Sequence, residues 1–447
     1  MEWQDEYRKK CVSMEEAAKQ VKSGDTVVTA LGIAANSADM YHAILNRHAE
    51  LRGVNIIDAV QVRPCKLYDP EFMAGIDGHI NYMPAFGMIT IRKINATLQT
   101  DFLPIMSSDS GRKIGLLADV FACMTTPPNK QGYVNLGLTN FYTMQTIREG
   151  RASGKQRVTI AEVNDQMPTI FGNNWMHVSE FDFFVEHSTP IPAFKRAEPG
   201  EREKKIAGHV LELLKDGDTI QMGIGMIPEA VVSGLEGKHD LGVLTEMFPI
   251  GLPDLVKKGI VTNSRKPLHK GITIATFCIG DQGLYDYVAE NPACEFFPAS
   301  YTNNPAMIAQ HPNLVAINMG LMIDFSGQIC SEGVGHRMIS GSGGQLDFMI
   351  GAAYSEGGRG ITLISAARNL KDGSLVSAIV PELPIGSPVT VPRTLADYVV
   401  SEYGIAQLRY KSRRQRAEAL ISIAHPDLRG ELRDSLKKRF YPKASRP

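Results

Sequence analysis

Thr245-Glu246-Met247 follows the apolar run Leu241-Gly242-Val243-Leu244, shortly after the turn Gly223-Ile224-Gly225-Met226-Ile227-Pro228. The run reads as a buried strand that delivers a carboxylate at its end. Open α/β sheets bind ligands outside the carboxyl ends of their strands. A glycine-rich turn nearby brings backbone N–H groups close to a bound group. The pairing suggests a carboxylate nucleophile, Glu246, facing oxyanion donors near Gly225. Taken alone, a glutamate after an apolar strand is more often a solvated strand end.

Other segments narrow the chemistry. The Gly223–Pro228 turn begins like a dinucleotide fingerprint, but it ends in proline. That proline ending argues against an NAD site. Proline early in a helix suits its first turn, so the segment reads as strand, glycine turn and helix N-terminus. Its free N–H groups suit an oxyanion or a phosphate. Ser340-Gly341-Ser342-Gly343-Gly344-Gln345-Leu346-Asp347-Phe348 is a second glycine-rich loop. It lacks the Lys-Ser/Thr ending of a P-loop and the first glycine of a G-x-S-x-G elbow. Its small residues allow a backbone to approach a ligand, or merely form a surface turn. Glu402, in Val399-Val400-Ser401-Glu402-Tyr403-Gly404, is ambiguous on composition alone.

The elements that position these residues repeat once along the chain. Lys22-Ser23-Gly24-Asp25-Thr26-Val27 corresponds to Lys215-Asp216-Gly217-Asp218-Thr219-Ile220. Each follows a helical pattern and leads into a strand that ends in a glycine, Gly32 or Gly225. The interval is 193 residues at both anchors (24 to 217, 32 to 225). Second strands follow, Val54-Asn55-Ile56-Ile57 and Leu241-Gly242-Val243-Leu244, and Asp58 stands near the place that Glu246 holds. Shared turn chemistry alone produces short matches of this kind. The equal interval favours duplication. Prolines and charges between Pro190 and Glu201 have linker chemistry, which divides the chain into domains of residues 1–190 and 200–447. Apolar runs such as Ile114 to Cys123, Val158–Ala161, Ile272–Ala275, Leu314–Ile317 and Ile361–Ile364 alternate with helical patterns. The expected fold class is α/β, with largely parallel sheets. From Leu395 onward the pattern reads mostly as helix, and the basic run Arg409 to Arg416 as a solvated face.

The 447 residues exceed one ordinary core. A formal net charge of −1 gives no global attraction to nucleic acid or an anionic membrane. The acidic start lacks a signal-peptide core, and no apolar stretch is long enough to span a bilayer. Six scattered cysteines without a C-x-x-C pair read as reduced, cytoplasmic thiols. The eleven histidines form no ligand-spaced cluster, so no metal is expected.

Several long segments together resemble the acetyl-CoA hydrolase/CoA-transferase family over nearly the whole chain. They are most similar to its 4-hydroxybutyrate and butyrate–acetate CoA-transferase branch. The segments include Asp101-Phe102-Leu103-Pro104-Ile105, Pro127–Tyr133, Ala161–Pro168 and His177–Glu180 in the first half. In the second half they include Gly223–Pro228, Thr245–Met247, Asp324–Gln328, Gly341–Phe348, Ser401–Ala406 and Ile423–Asp427. The resemblance implies two related open α/β domains with the active site between them. It implies that Glu246 attacks an acyl-CoA and becomes a glutamyl-CoA thioester, with oxyanion donors near Gly225 and Gly344. Attack requires that carboxylate ionised, and neighbouring N–H dipoles are expected to help keep it so. Gly223, Ile224, Gly225, Met226, Ile227, Leu321, Gly344 and Lys371 match CoA-contact positions of the family, and Glu402 resembles a second active-site carboxylate.

Further expectations rest on the same resemblance. The substrates are acyl-CoA, such as acetyl-CoA or succinyl-CoA, and a four-carbon acid such as 4-hydroxybutyrate or butyrate. No metal takes part, and the state is a homodimer or larger. The segments around Gly32, Arg63 and Phe86 depart from the branch and are expected to line the acyl pocket. Arg63 suits a second carboxylate, as on succinate or itaconate, or is a surface arginine. Two rivals stay open, a thioester hydrolase on the same scaffold and a silent acyl-CoA-binding protein.

Overall fold

The computed structural model describes residues 2–97, 99–196, 198–223, 225–370 and 372–440. Short runs rich in β-branched residues form two six-stranded sheets. The first contains β1 (Thr26–Thr29), β2 (Val54–Ala59), β3 (Ile80–Phe86), β4 (Val120–Thr125), β5 (Val158–Val163) and β6 (Phe183–Glu186). Every residue of β4 and β5 is buried, as expected of strands covered on both faces. The order is β3-β2-β1-β4-β5-β6, and all pairs are parallel.

The second sheet contains β7 (Thr219–Met222), β8 (Gly242–Val243), β9 (Leu314–Met319), β10 (Arg359–Leu363), β11 (Tyr398–Ser401) and β12 (Gly404–Gln407). Its order is β8-β7-β9-β10-β11-β12, with only the β11–β12 pair antiparallel. In each sheet the strand order reverses beside the first strand, between β1 and β4 and between β7 and β9. The crevice beyond the strand ends at such a reversal is where open α/β sheets hold ligands.

The two sheets start from the same corner. Gly24 and Gly217 adopt φ of +82° and +80°, a region that favours glycine. Asp25 Oδ2 accepts from the Lys22 N–H at 2.7 Å, and Asp218 Oδ2 accepts from the Lys215 N–H at 2.7 Å. Each aspartate also pairs with an arginine at the start of the next strand but one, Arg157 before β5 and Arg359 in β10. The shared motif is thus one local device used twice to seat a central strand.

Three expectations differ in detail. The run Ile114 to Cys123 is split between the helix Ser110–Gly115 and β4. Only Gly242 and Val243 of the run before Glu246 pair with β7. Leu241 and Leu244 bridge to Val261 and Ile274. The segment after Leu395 forms the β11–β12 hairpin before the helices Arg413–Ser422 and Arg429–Phe440. Its Tyr-Val-Val run suits a strand, and Gly404 turns it at φ +138°.

The halves interlock. Phe171–Gly172 of the first half pairs in parallel with Cys294–Phe296, which pairs with Thr273–Ala275. Cys278 N–H donates to Leu138 O at 3.0 Å, and Ala299 N–H donates to Phe141 O at 2.7 Å. One buried apolar cluster runs through both, from Val28 and Phe121 to Met222, Phe248 and Ile317. Among the described residues no helix is long and apolar enough to cross a membrane.

Candidate active site

The strand ends of both sheets meet at a cavity of about 570 Å³. From the first half come Leu31 after β1, Ala59 at the end of β2 with Val60 just after it, and Phe86 of β3. From the second come Gly223 and Gly225 after β7, Glu246 after β8, and Asn318 to Leu321 at the end of β9. The walls are mostly apolar. Among the described lining residues only Glu246 and Arg92 carry charge, and Glu246 is the one acid.

The Glu246 backbone is clamped on both sides. Its carbonyl accepts from Thr276 N–H at 2.9 Å and from Thr276 Oγ1–H at 3.1 Å. Thr245 N–H donates to Ile274 O at 3.0 Å. The side chain has a built environment. Asn303 Nδ2–H donates to Glu246 Oε2. Asn303 is fully buried, and its own Oδ1 has no partner. Gly344, the cap residue of the helix Gln345–Tyr354, lies against the same carboxylate. A Cβ there would overlap Glu246 Oε2 and Asn303 Nδ2, so only glycine fits. The positive end of a ten-residue helix thereby faces the carboxylate.

These donors do not keep Glu246 at an ordinary acidity. Burial pushes its carboxyl up to about 7, and the nearby Asp347 carboxylate adds to the rise. The Asn303, Ser107 and Gly344 donors oppose it. The N–H dipole at Gly344 favours the ionised form as expected, but desolvation is the larger effect at this enclosed position.

The two registers align the repeat's second strands residue by residue. Thr26 pairs with Asn55, and Thr219 pairs with Gly242. Glu246 thus corresponds to Ala59, and Asp58 to Thr245. Asp58 is buried away from the cavity. Its carboxylate accepts from Gln61 Nε2 at 2.6 Å and from the hydroxyls of Tyr68 and Tyr82, each at 2.7 Å.

Of the other expected site residues, Gly223, Gly225, Leu321, Gly344 and Phe86 line the cavity with Glu246. Gly32, at φ +63°, sits just behind it, against Val60 and Ile279. Met226 is exposed at the start of the helix Met226–Gly234, and Ile227 turns into the core. Ile224 and Lys371 lie outside the described residues.

Two expectations are not met in space. Arg63 does not line the cavity. Its guanidinium donates to Ile33 O at 3.0 Å and Ala35 O at 3.1 Å, clamping the turn after β1. Glu402 is not beside Glu246. It accepts from Ala366 N–H at 2.9 Å and lines a separate polar depression with Arg202, Arg368, Tyr403 and His425. Arg63 was read from residue type and Glu402 from the family resemblance, and side-chain direction places both elsewhere. Arg63→Ala is expected to cost about 1–3 kcal/mol of stability through the freed carbonyls. It should leave the preference between mono- and dicarboxylic acids unchanged. Chemical denaturation and paired kcat/KM values test this.

The sequence reading missed Asn303, Ser107, Ser108 and Asp347. Asp347 lay within a glycine-rich motif that already drew notice. Asn303 precedes Asn304-Pro305, where Asn304 caps the helix Pro305–Ile308. Nothing local distinguishes the asparagine that faces inward from the one that caps. Among the described residues no group of three or more His, Cys, Asp or Glu side chains is placed to hold a metal.

Known proteins share both sequence and fold with this chain. The acetyl-CoA hydrolase/transferase N-terminal domain matches residues 1–195, and the C-terminal domain of that family matches residues 280–436. Glu246 falls between the two matched stretches. The chain is 36% identical to a 4-hydroxybutyrate coenzyme A transferase of Clostridium kluyveri, covering 98% of this chain and 100% of that protein. It is 37% identical to a succinyl-CoA:cyclohexane-1-carboxylate CoA transferase of Geobacter metallireducens, covering 98% and 97%. The crystal structure of RipA from Yersinia pestis superimposes with a TM-score of 0.88 at 30% identity, over 98% of this chain and 99% of that one. Over its whole length, therefore, the chain is an enzyme of the acetyl-CoA hydrolase/transferase family.

Proposed function

We propose that this enzyme is a CoA-transferase that moves CoA between a short-chain acyl-CoA and a carboxylic acid through a covalent Glu246 intermediate. The carrying observation is that Glu246 is the one acid among the described residues of an apolar cavity, and that Asn303 and Gly344 hold it there. In the proposed sequence its carboxylate attacks the thioester carbonyl, and the CoA thiolate leaves, giving an acyl-glutamyl anhydride. The thiolate then attacks the glutamyl carbonyl and releases the first acid, leaving a glutamyl-CoA thioester. An incoming carboxylate runs the steps backward. Two acyl activations of similar energy are exchanged, so neither ATP nor a metal is required. Gly223, Gly225, Leu321 and Gly344 are read as contacts to CoA, with N–H groups at Gly225 and Gly344 serving developing oxyanions. The site joins domains of residues 1–190 and 200–447.

The acyl pocket favours hydrocarbon. Leu31, Val60, Phe86, Phe141 and Phe277 surround it, and Arg63 faces elsewhere. These walls suit short monocarboxylic acids such as butyrate and 4-hydroxybutyrate, while Arg92 is the described cation on the same cavity open to the second carboxylate of succinate or itaconate. The relatives named above act on acids of both kinds, so a panel of acids against acetyl-CoA and succinyl-CoA decides the substrate. Acyl-CoA loss at full rate without any acceptor acid would instead make the enzyme a hydrolase. Association of copies rests on the family likeness alone, and sedimentation showing only a 49.0 kDa species overturns it.

A pH dependence follows from the raised pKa of Glu246. Attack requires the ionised carboxylate. With Glu246 at about 7, kcat/KM should fall with unit slope as the pH drops through 7. A limb near 4.5, the ordinary glutamate value, would contradict the burial argument.

A further inference from the structure

Asp347 is a fully buried carboxylate to which the proposed chemistry assigns no step. It lies one helical turn from Gly344, on the helix Gln345–Tyr354; Asn303 neighbours it from the same half, and Ser108 holds it from the other. Ser108 N–H donates to Oδ2 at 3.0 Å, and Ser108 Oγ–H donates to Oδ1 at 2.7 Å. A second bond fastens the same turn, from Ser342 Oγ–H to Ile105 O at 3.2 Å. Close packing adjoins it, since a Cβ on Gly341 would stand 2.9 Å from Ala85 O and 3.2 Å from Phe102 Cζ. The turn held in this way contains Ser107, which lines the cavity and reaches the Glu246 carboxylate.

We propose that Asp347 is a positioning residue that latches the Ile105–Ser108 turn of the first half against Glu246 and sets the charge field around that nucleophile. The proposal rests on the CoA-transferase reading for its assay, while its geometry stands independently. Neighbouring serines divide the work: Ser107 faces the nucleophile, and Ser108 holds the latch. Two carboxylates enclosed this close resist ionising together, so the charge on Asp347 opposes the charge on Glu246. Covalent capture of Glu246 removes one of those charges, which makes the intermediate electrostatically easier to hold than the free pair.

The surrounding groups leave this coupling intact. Asn303 and the two serines are neutral. Asp109 of the same turn pairs outward with Arg112 at 2.9 Å and with Lys113 at 3.9 Å. Tyr301, on the helix Ala299–Thr302, bonds to His269 at 2.5 Å. From β10, Arg359 is engaged with Asp218. Ile308, on the helix Pro305–Ile308, packs against Gly351.

Asp347→Asn and Ser108→Ala test the latch in the full-length enzyme. Asp347→Asn should lower kcat by about 10- to 100-fold, as expected for a loosened reacting group, with KM for acyl-CoA within about threefold. The acid limb of its kcat/KM profile should move to lower pH, because a charge opposing Glu246 ionisation is gone. Ser108→Ala should lower kcat less and leave the limb nearly in place, since the carboxylate remains. Carbodiimide labelling of Glu246 against pH, read by mass spectrometry, reports the same titration without turnover. It therefore separates failure of the latch from failure of the transferase reading. An unmoved labelling profile in Asp347→Asn, with kcat as in the wild type, overturns the proposal. If Asp347→Asn does not fold, an unchanged kcat in Ser108→Ala does so.

Discussion

Glu246→Ala is expected to lower kcat for CoA exchange by on the order of 10⁴-fold or more, the scale on which enzymes lose activity when a nucleophile is removed. Acyl-CoA binding should survive, because the body of the nucleotide is read as lying along Gly223, Gly225 and Leu321. The covalent species gives a sharper test. Incubation of the wild type with acyl-CoA and then borohydride should inactivate it, with the mass change on the peptide containing Leu244-Thr245-Glu246-Met247. Double-reciprocal plots should be parallel. A modification on Asp58, Glu332 or Glu402 would show that the nucleophile has been misassigned. The structure argues against each of those three. Asp58 is saturated by three donors, Glu332 is buried on Thr390 Oγ1 at 2.8 Å, and Glu402 lies in another depression.

Gly344→Ala should be the next most damaging change. Its φ of −85° suits any residue, so backbone strain is not the reason. The added methyl group would occupy the space of Glu246 Oε2 and Asn303 Nδ2. Either the carboxylate turns away or the helix Gln345–Tyr354 withdraws. Displacement of a reacting group by about 1 Å costs on the order of 100-fold in kcat. Overpacking should also cost about 1–3 kcal/mol of stability. Activity assays beside thermal unfolding separate the two effects. A variant with wild-type kcat would mean that the glycine serves only the turn.

The sequence reading recovered what local pattern controls. The repeated Gly-Asp-Thr corner, the alternating apolar runs and the glycine before Met226 each carry a short-range physical reason. So does a carboxylate at the end of a strand beside a strand-order reversal. Direction in space was not recoverable. Arg63 and Glu402 have suitable chemistry, but their side chains meet backbone groups elsewhere. Asn303 and Ser108 lie 57 and 138 residues from Glu246, and only folding brings them to one place. The β11–β12 hairpin was hidden because basic helical sequence follows it closely. The raised pKa of Glu246 was hidden for a similar reason. Donors can be guessed from a motif, whereas loss of water depends on the walls contributed by the other half.

The strand Phe171–Gly172 gives the molecule a history in time. Its partner, Cys294–Phe296, is more than 120 residues farther along the chain. During synthesis the first sheet can form while that short strand still presents unpaired N–H and C=O groups to its surroundings. At about 5–20 residues per second, the wait lasts on the order of ten seconds. This open edge should add to chaperone dependence in the cell and to the aggregation of fragments ending before residue 294.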